Sequence, residues 1–152
     1  RYHIRRGRTP DAVALGALER RCFGDPWAES SFREAIESPW PFGLVAEWGG
    51  EVVGYLIARD VAGSGEILNL AVAPEHRRAG LARALLVEGL GVLRTRGAEE
   101  AFLEVRSSNE GALALYGGAG FRPVTLVNRG SARTAHVAAS TTDAARGASG
   151  SR

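Results

Sequence analysis

Lysine and methionine are absent from the 152 residues, cysteine occurs once, and no apolar run approaches the length of a membrane span. Each absence excludes something. A spanning helix needs ~20 consecutive apolar residues, and nothing here comes near that. The lone Cys22 leaves no partner for an intrachain disulfide and suits a reducing compartment. Its place in a helix-periodic segment makes it a buried or bystander thiol rather than a nucleophile. Without lysine, a Gly-Lys-Ser/Thr phosphate loop cannot be written. His3, His76 and His136 are scattered without ligand spacing, so no metal site is expected. No signal-peptide pattern opens the chain, and an arginine at position 1 with methionine missing throughout suits a trimmed start.

What is present is the composition of an ordinary single soluble domain, 45% hydrophobic and 24% charged. All 19 basic side chains are arginine, against 17 acidic ones, for a net charge of +2. That balance suits a polyanionic small ligand. The arginines are dispersed and form no stripe, which argues against nucleic acid as the main partner.

Along the chain, Tyr2 to Arg6 alternates as a short strand. Thr9-Pro10-Asp11 opens a helix, with Thr9 as cap and Pro10 at the first helical position. That helix turns Val13, Leu15, Leu18 and Cys22 toward a core and ends by Gly24-Asp25-Pro26. A second helix covers Trp27 to Ile36, and Pro39-Trp40-Pro41 closes it. Phe42–Trp48 and Glu51–Asp60 are strands joined by the hairpin dipeptide Gly49-Gly50, and Glu66–Val72 is the next strand. Leu81, Leu85, Leu86, Leu90 and Leu93 follow helical spacing, although Gly89 and Gly91 each weaken that helix by about 1 kcal/mol. Ala101–Arg106 is a strand, Glu110–Tyr116 a helix stopped by Gly117-Gly118, and Phe121–Val127 a strand. From Gly130 onward, small and polar residues dominate, so the end reads as largely disordered, with Arg133–Ala139 a weak strand at best.

Two stretches carry chemistry. The first is the apolar strand ending Leu70-Ala71-Val72, followed by Arg77-Arg78-Ala79-Gly80-Leu81-Ala82-Arg83 and a helix. Free N–H groups and the dipole at a helix start favour anions, Gly80 lets the backbone approach closely, and arginines add charge and forked donors. A solvated basic helix start is the plainer reading. The second is Phe102-Leu103-Glu104-Val105-Arg106-Ser107-Ser108-Asn109, leading into Ala112-Leu113-Ala114-Leu115-Tyr116. A carboxylate flanked by apolar residues suits a general base working near neutrality, while a solvent-facing strand residue paired with Arg106 explains Glu104 equally well. Asn109 fits a helix N-cap. Tyr116 fits a core aromatic with its hydroxyl at the edge.

Arg77-x-x-Gly80-x-Ala82, taken with Ile67–Val72, Leu103–Asn109 and Leu115-Tyr116, resembles the GCN5-related N-acetyltransferase (GNAT) superfamily and its RimI-like branch. The resemblance runs from about Ile4 to Val124. It implies a single α/β domain (an α+β mixed sheet, mainly antiparallel) with the acyl-CoA N-acyltransferase fold over residues 1–128. Residues 129–152 are expected, on composition, to be a low-complexity, largely disordered tail. The family usually carries a tyrosine-rich turn and a last strand there, so this is the clearest departure. The resemblance further implies acetyl-CoA as co-substrate, no metal and no covalent intermediate. Backbone atoms of Leu70, Ala71 and Val72 would hold the pantetheine arm and polarise the acetyl carbonyl. Arg77, Arg78, Ala79, Gly80, Leu81, Ala82 and Arg83 would hold the pyrophosphate, and Asn109 the pantetheine amide. Glu104 would be the base, Tyr116 the acid toward the coenzyme A thiolate, and the Pro39–Pro41 region part of the acceptor side.

The branch implies a cytoplasmic enzyme that acetylates the N-terminal alanine of a small-subunit ribosomal protein, its peptide partner. No membrane and no specific nucleic acid are involved, and the oligomeric state is open, a monomer included. Two alternatives stand beside it: transfer to a lysine side chain or small-molecule amine, and an acyl-CoA-binding module deficient in turnover.

Overall fold

The structure is a computed structural model describing residues 1–130 and 132–142. Among the described residues there are four α-helices: α1 (Ala12–Cys22), α2 (Glu29–Glu37), α3 (Leu81–Thr95) and α4 (Glu110–Gly118). They pack on strands β1 (Tyr2–Arg6), β2 (Pro41–Trp48), β3 (Glu51–Val61), β4 (Ser64–Val72), β5 (Glu100–Arg106), β6 (Arg122–Arg129) and β7 (Ala132–Ser140). The seven strands make one sheet in the order β1-β2-β3-β4-β5-β7-β6. Only β4 and β5 run parallel; every other neighbouring pair is antiparallel. The mixed, mainly antiparallel sheet is as expected.

Alternation along β3 sorts the helices onto two faces. Tyr55 meets Phe32 of α2 edge-on at 5.2 Å. Its neighbours Gly54 and Leu56 point the other way, against Leu85 and Gly89 of α3. Helices α1 and α2 therefore cover one face, and α3 the other. Gly89, a liability for helix propensity, is explained here. A Cβ at that position would lie 2.8 Å from Leu56 Cδ2, so glycine permits α3 to sit close on β3. Among the described residues, no helix is long and apolar enough to cross a membrane.

Four details depart from expectation. Residues Thr9–Asp11 form a 3₁₀ turn with Arg8, not Thr9, in the cap position, and α1 begins only at Ala12. The local force is Asp11, whose carboxylate accepts the Arg8 N–H at 2.7 Å and a forked pair from Arg5 at 2.7 and 2.9 Å. Val13, expected in the core, is 60% exposed, because the helical period sets it on the face opposite the buried Ala12, Leu15 and Leu18. Gly117 and Gly118 extend α4 rather than stopping it.

The largest departure is β7. The expected tail, placed outside the domain from residue 129 with a weak strand at most, contributes a full nine-residue strand between β5 and β6. Ala135, Val137 and Ala139 alternate inward and are buried. Residues 143–152 of that expected tail lie outside the described residues.

Candidate functional site

The strands β4 and β5 pair only at Ser64–Glu100, Gly65–Ala101 and Glu66–Phe102. Beyond that point they part, while β4 stays paired with β3 up to Gly54–Val72 and β5 with β7 up to Arg106–Thr134. The facing edges of Ile67–Val72 and Leu103–Arg106 thus bound an opening whose backbone polar groups require partners of their own. Leu70, Ala71 and Val72 sit on this opening. An extended amide-bearing chain laid there would complete both ladders.

On the α3 side of the opening lies the arginine turn. Arg78 and Gly80 both adopt the left-handed conformation, at φ +65° and +77°. This folds the Arg77–Gly80 backbone into a concavity directly ahead of the 15-residue α3, whose first-turn N–H groups from Leu81, Ala82 and Arg83 have no intrahelical acceptor. A Cβ on Gly80 would meet nothing within 4 Å, so the space in front of the helix is open to a ligand. Arg83 reaches across to α4, where a Cβ on Gly118 would lie 3.6 Å from its Nη1. Arg77 is the exception. Its Nε donates to the Val72 carbonyl at 3.1 Å and its Nη2 lies 3.6 Å from Cys22 Sγ, so its guanidinium ties the turn to β4 and α1.

At the start of α4, Asn109 Oδ1 accepts the Ala112 N–H at 3.1 Å, so this side chain is the N-cap. Tyr116, on the same helix, packs edge-on against Phe121 at 5.7 Å. Burial pushes its phenol up to about 12.

On the α1/α2 side, a cavity of about 640 Å³ is lined by Glu19, Cys22, Trp27, Leu68, Asn69 and Arg106. Glu104 shares the Arg106 face of β5, two residues along. Its flanking residues Leu103 and Val105 are buried on the opposite face, and Glu104 itself is 46% exposed. The apolar neighbourhood expected from the sequence is therefore thinner than its neighbours suggest: strand alternation carries Leu103 and Val105 through the sheet and leaves Phe102 on the face of Glu104. A close neighbour of Glu104 is His136 of β7, whose Nε2 lies 3.0 Å from Oε1. Pro39–Pro41 lies elsewhere. Trp40 lines a separate groove with Asp60 and Val61 at the far end of β2 and β3.

Glu19 went unnoticed in the sequence. It is 2% exposed and accepts from Asn69 Nδ2 at 2.9 Å, from the Trp27 N–H at 2.8 Å, and from the Tyr55 hydroxyl. One carboxylate therefore bolts α1, the α1–α2 loop, β3 and β4 together beneath the cavity. Its signal was an acid on the Leu15–Leu18–Cys22 apolar stripe. Glu19→Ala strands three donors, and should destabilise the fold by about 3 kcal/mol. A thermal melt against the parent checks this, with an expected Tm drop of roughly 6–12 °C for a domain of this size. Among the described residues, no group of three or more His, Cys, Asp or Glu could hold a metal.

Residues 12–121 match the Acetyltransferase (GNAT) family. The chain is 35% identical over 119 residues to the [ribosomal protein bS18]-alanine N-acetyltransferase of Escherichia coli, covering 78% of this chain and 79% of that protein. It is 34% identical over 125 residues to the N-alpha-acetyltransferase RimI of Mycobacterium tuberculosis, covering 78% and 77%. The crystal structure of the Escherichia coli ribosomal-protein-S18-alanine N-acetyltransferase superposes with a TM-score of 0.84 at 28% identity, over 93% of this chain and 94% of that one. The fold is also that of the PaiA N-acetyltransferase from Thermoplasma acidophilum solved in complex with coenzyme A, with a TM-score of 0.78 at 17% identity over 90% and 98%.

Proposed function

The chain belongs to the acetyltransferase (GNAT) family and is an acetyl-CoA-dependent N-acetyltransferase; from that premise we propose that it acetylates the N-terminal α-amine of the alanine that begins ribosomal protein bS18. The relatives named for that activity support the acceptor. The observation that carries the reading is the opening between β4 and β5, with the arginine turn on one face and Glu104 on the other. A donor held by the turn and an acceptor entering past Arg106 would meet in that opening.

In this reading the backbone edges of Leu70, Ala71 and Val72 hold the pantetheine arm, and one N–H polarises the acetyl carbonyl. Arg78, Ala79, Gly80, Leu81, Ala82 and Arg83 hold the pyrophosphate, and Arg77 keeps the turn in place. Asn109 fixes the start of α4 beside the arm. Glu104 takes a proton from the α-amine, the nitrogen attacks the thioester carbonyl, a C–N bond forms and the C–S bond breaks. The thiolate leaves toward Tyr116. With its pKa at about 12, this phenol stays protonated throughout the working range, whereas an ordinary thiol titrates near 8.5. Tyr116 therefore stabilises the departing sulfur chiefly as a hydrogen-bond donor, and solvent completes the protonation. Tyr116→Phe should lower kcat while acetyl-CoA affinity holds, and the wild-type kcat should show no alkaline fall from phenol ionisation below about pH 11. Steady-state kinetics across pH 6–10 would show whether the phenol matters. Unchanged kcat in the variant removes Tyr116 from the mechanism.

An α-amine is also the easier acceptor. Roughly 2.5 pKa units separate it from a lysine amine, worth ~3.5 kcal/mol at neutral pH. The reading implies a cytoplasmic enzyme working on a ribosomal partner. The test is a rate comparison among an alanine-first peptide copying the bS18 end, the same peptide with a tryptophan first, and a small polyamine. The alanine-first peptide should have the highest kcat/KM. A faster polyamine would overturn the assignment.

A further inference from the structure

The antiparallel pairing of β5 with β7 sets Glu104 directly opposite His136. Opposed residues of such a pair share one face, with Cβ atoms ~5 Å apart. The approach is close: His136 Nε2 is buried from solvent without a hydrogen-bond partner, and Glu104 Oε1 lies 3.0 Å away. On either side, Phe102 opposes Ala138 and Arg106 opposes Thr134, so the face around the pair carries Arg106 as the neighbouring charge on β5, while Thr125 of β6 pairs with His136.

A half-exposed glutamate on a strand ordinarily samples several rotamers, and ordering it at the moment of reaction costs entropy. An imidazole anchored in the neighbouring strand removes that freedom beforehand. We propose that His136 is a positioning residue: an adjustment of its ring brings the unpartnered Nε2 into a hydrogen bond with one carboxylate oxygen of Glu104 and holds the base in the orientation from which it takes the acceptor's proton. The inference rests on the reading of Glu104 as that base. It also gives β7 a task in the chemistry, since this strand inserts between β5 and β6 and brings the histidine to the carboxylate.

Asparagine and glutamine separate this role from a merely structural one. The glutamine amide nitrogen reaches about as far from the backbone as imidazole Nε2, whereas that of asparagine falls short. His136→Asn should lower kcat, by about tenfold to a hundredfold, as misplacing a reacting group by ~1 Å does. Acetyl-CoA affinity and the acceptor KM should stay near wild type. His136→Gln should recover most of the lost kcat. In a Glu104→Gln background, His136→Asn should cost nothing further, because the group it positions is gone. Wild-type kcat in both histidine variants, with Glu104→Gln strongly impaired, overturns the inference and leaves the base standing. Wild-type kcat in Glu104→Gln overturns both.

Discussion

Gly80→Glu is expected to weaken acetyl-CoA binding about a thousandfold while the domain stays folded. The fold should survive because a Cβ at this position meets nothing within 4 Å, and the strain of a side chain at φ +77° falls on one exposed turn. A carboxylate at a helix N-terminus even recovers a few tenths of a kcal/mol from the dipole. The ligand suffers instead. A negative charge ~4 Å from a pyrophosphate charge, at an effective dielectric of ~20, costs about 4 kcal/mol, and each 1.4 kcal/mol is tenfold in affinity. Gly80→Ala carries the same backbone strain without the charge, so its affinity should lie between the two. Calorimetric titration of the three forms reads this directly. Undiminished binding by the glutamate variant would remove the turn from the donor site.

The second large effect belongs to Glu104→Gln. General bases contribute typically ~10²–10⁴-fold, so kcat/KM should fall by that order with acetyl-CoA affinity intact. The deficit should be greatest at low pH. An α-amine titrates near 7.7–8.0, so below that range the reactive free amine is scarce and the missing base is felt most. Toward pH 9 the substrate deprotonates unaided and the variant should close part of the gap. A pH-independent deficit, or none, would make Glu104 a solvent-facing strand residue, the alternative the sequence left open.

Much of the donor side was legible in the chain itself. Strand, arginine turn and apolar helix follow one another locally, and each announces itself by a pattern of period 2, a glycine, then period 3.6. The same holds for Asn109, whose place before Glu110–Gly118 marks a cap. What escaped notice depends on residues far apart. His136 meets Glu104 only because β7 inserts beside β5, and no local pattern states that strand order. The strand itself hid behind alanine and threonine, whose small side chains fill an inner-strand layer that a scan for large aliphatics overlooks. Glu19 was hidden in the opposite way. It occupies a core position on α1, and its satisfaction comes from Tyr55 and Asn69, which lie 36 and 50 residues away. Arg77 fits the phosphate signature by type and spacing, yet its guanidinium turns back to Val72. Residue identity set the motif; the third dimension assigned the side chain its job.

The central claim is transfer to an α-amine across the β4–β5 opening, and mapping the acetylated nitrogen tests it most directly. Two peptides copying the alanine-first end of bS18 are incubated with acetyl-CoA and the enzyme, one unmodified and one with its α-amine blocked but an internal lysine left free. Because the enzyme contains no lysine, no side-chain label on the catalyst competes with the readout. Tandem mass spectrometry should find one acetyl group on the α-nitrogen of the first peptide and none on the second. Label on the internal lysine, or on neither peptide, would contradict the account.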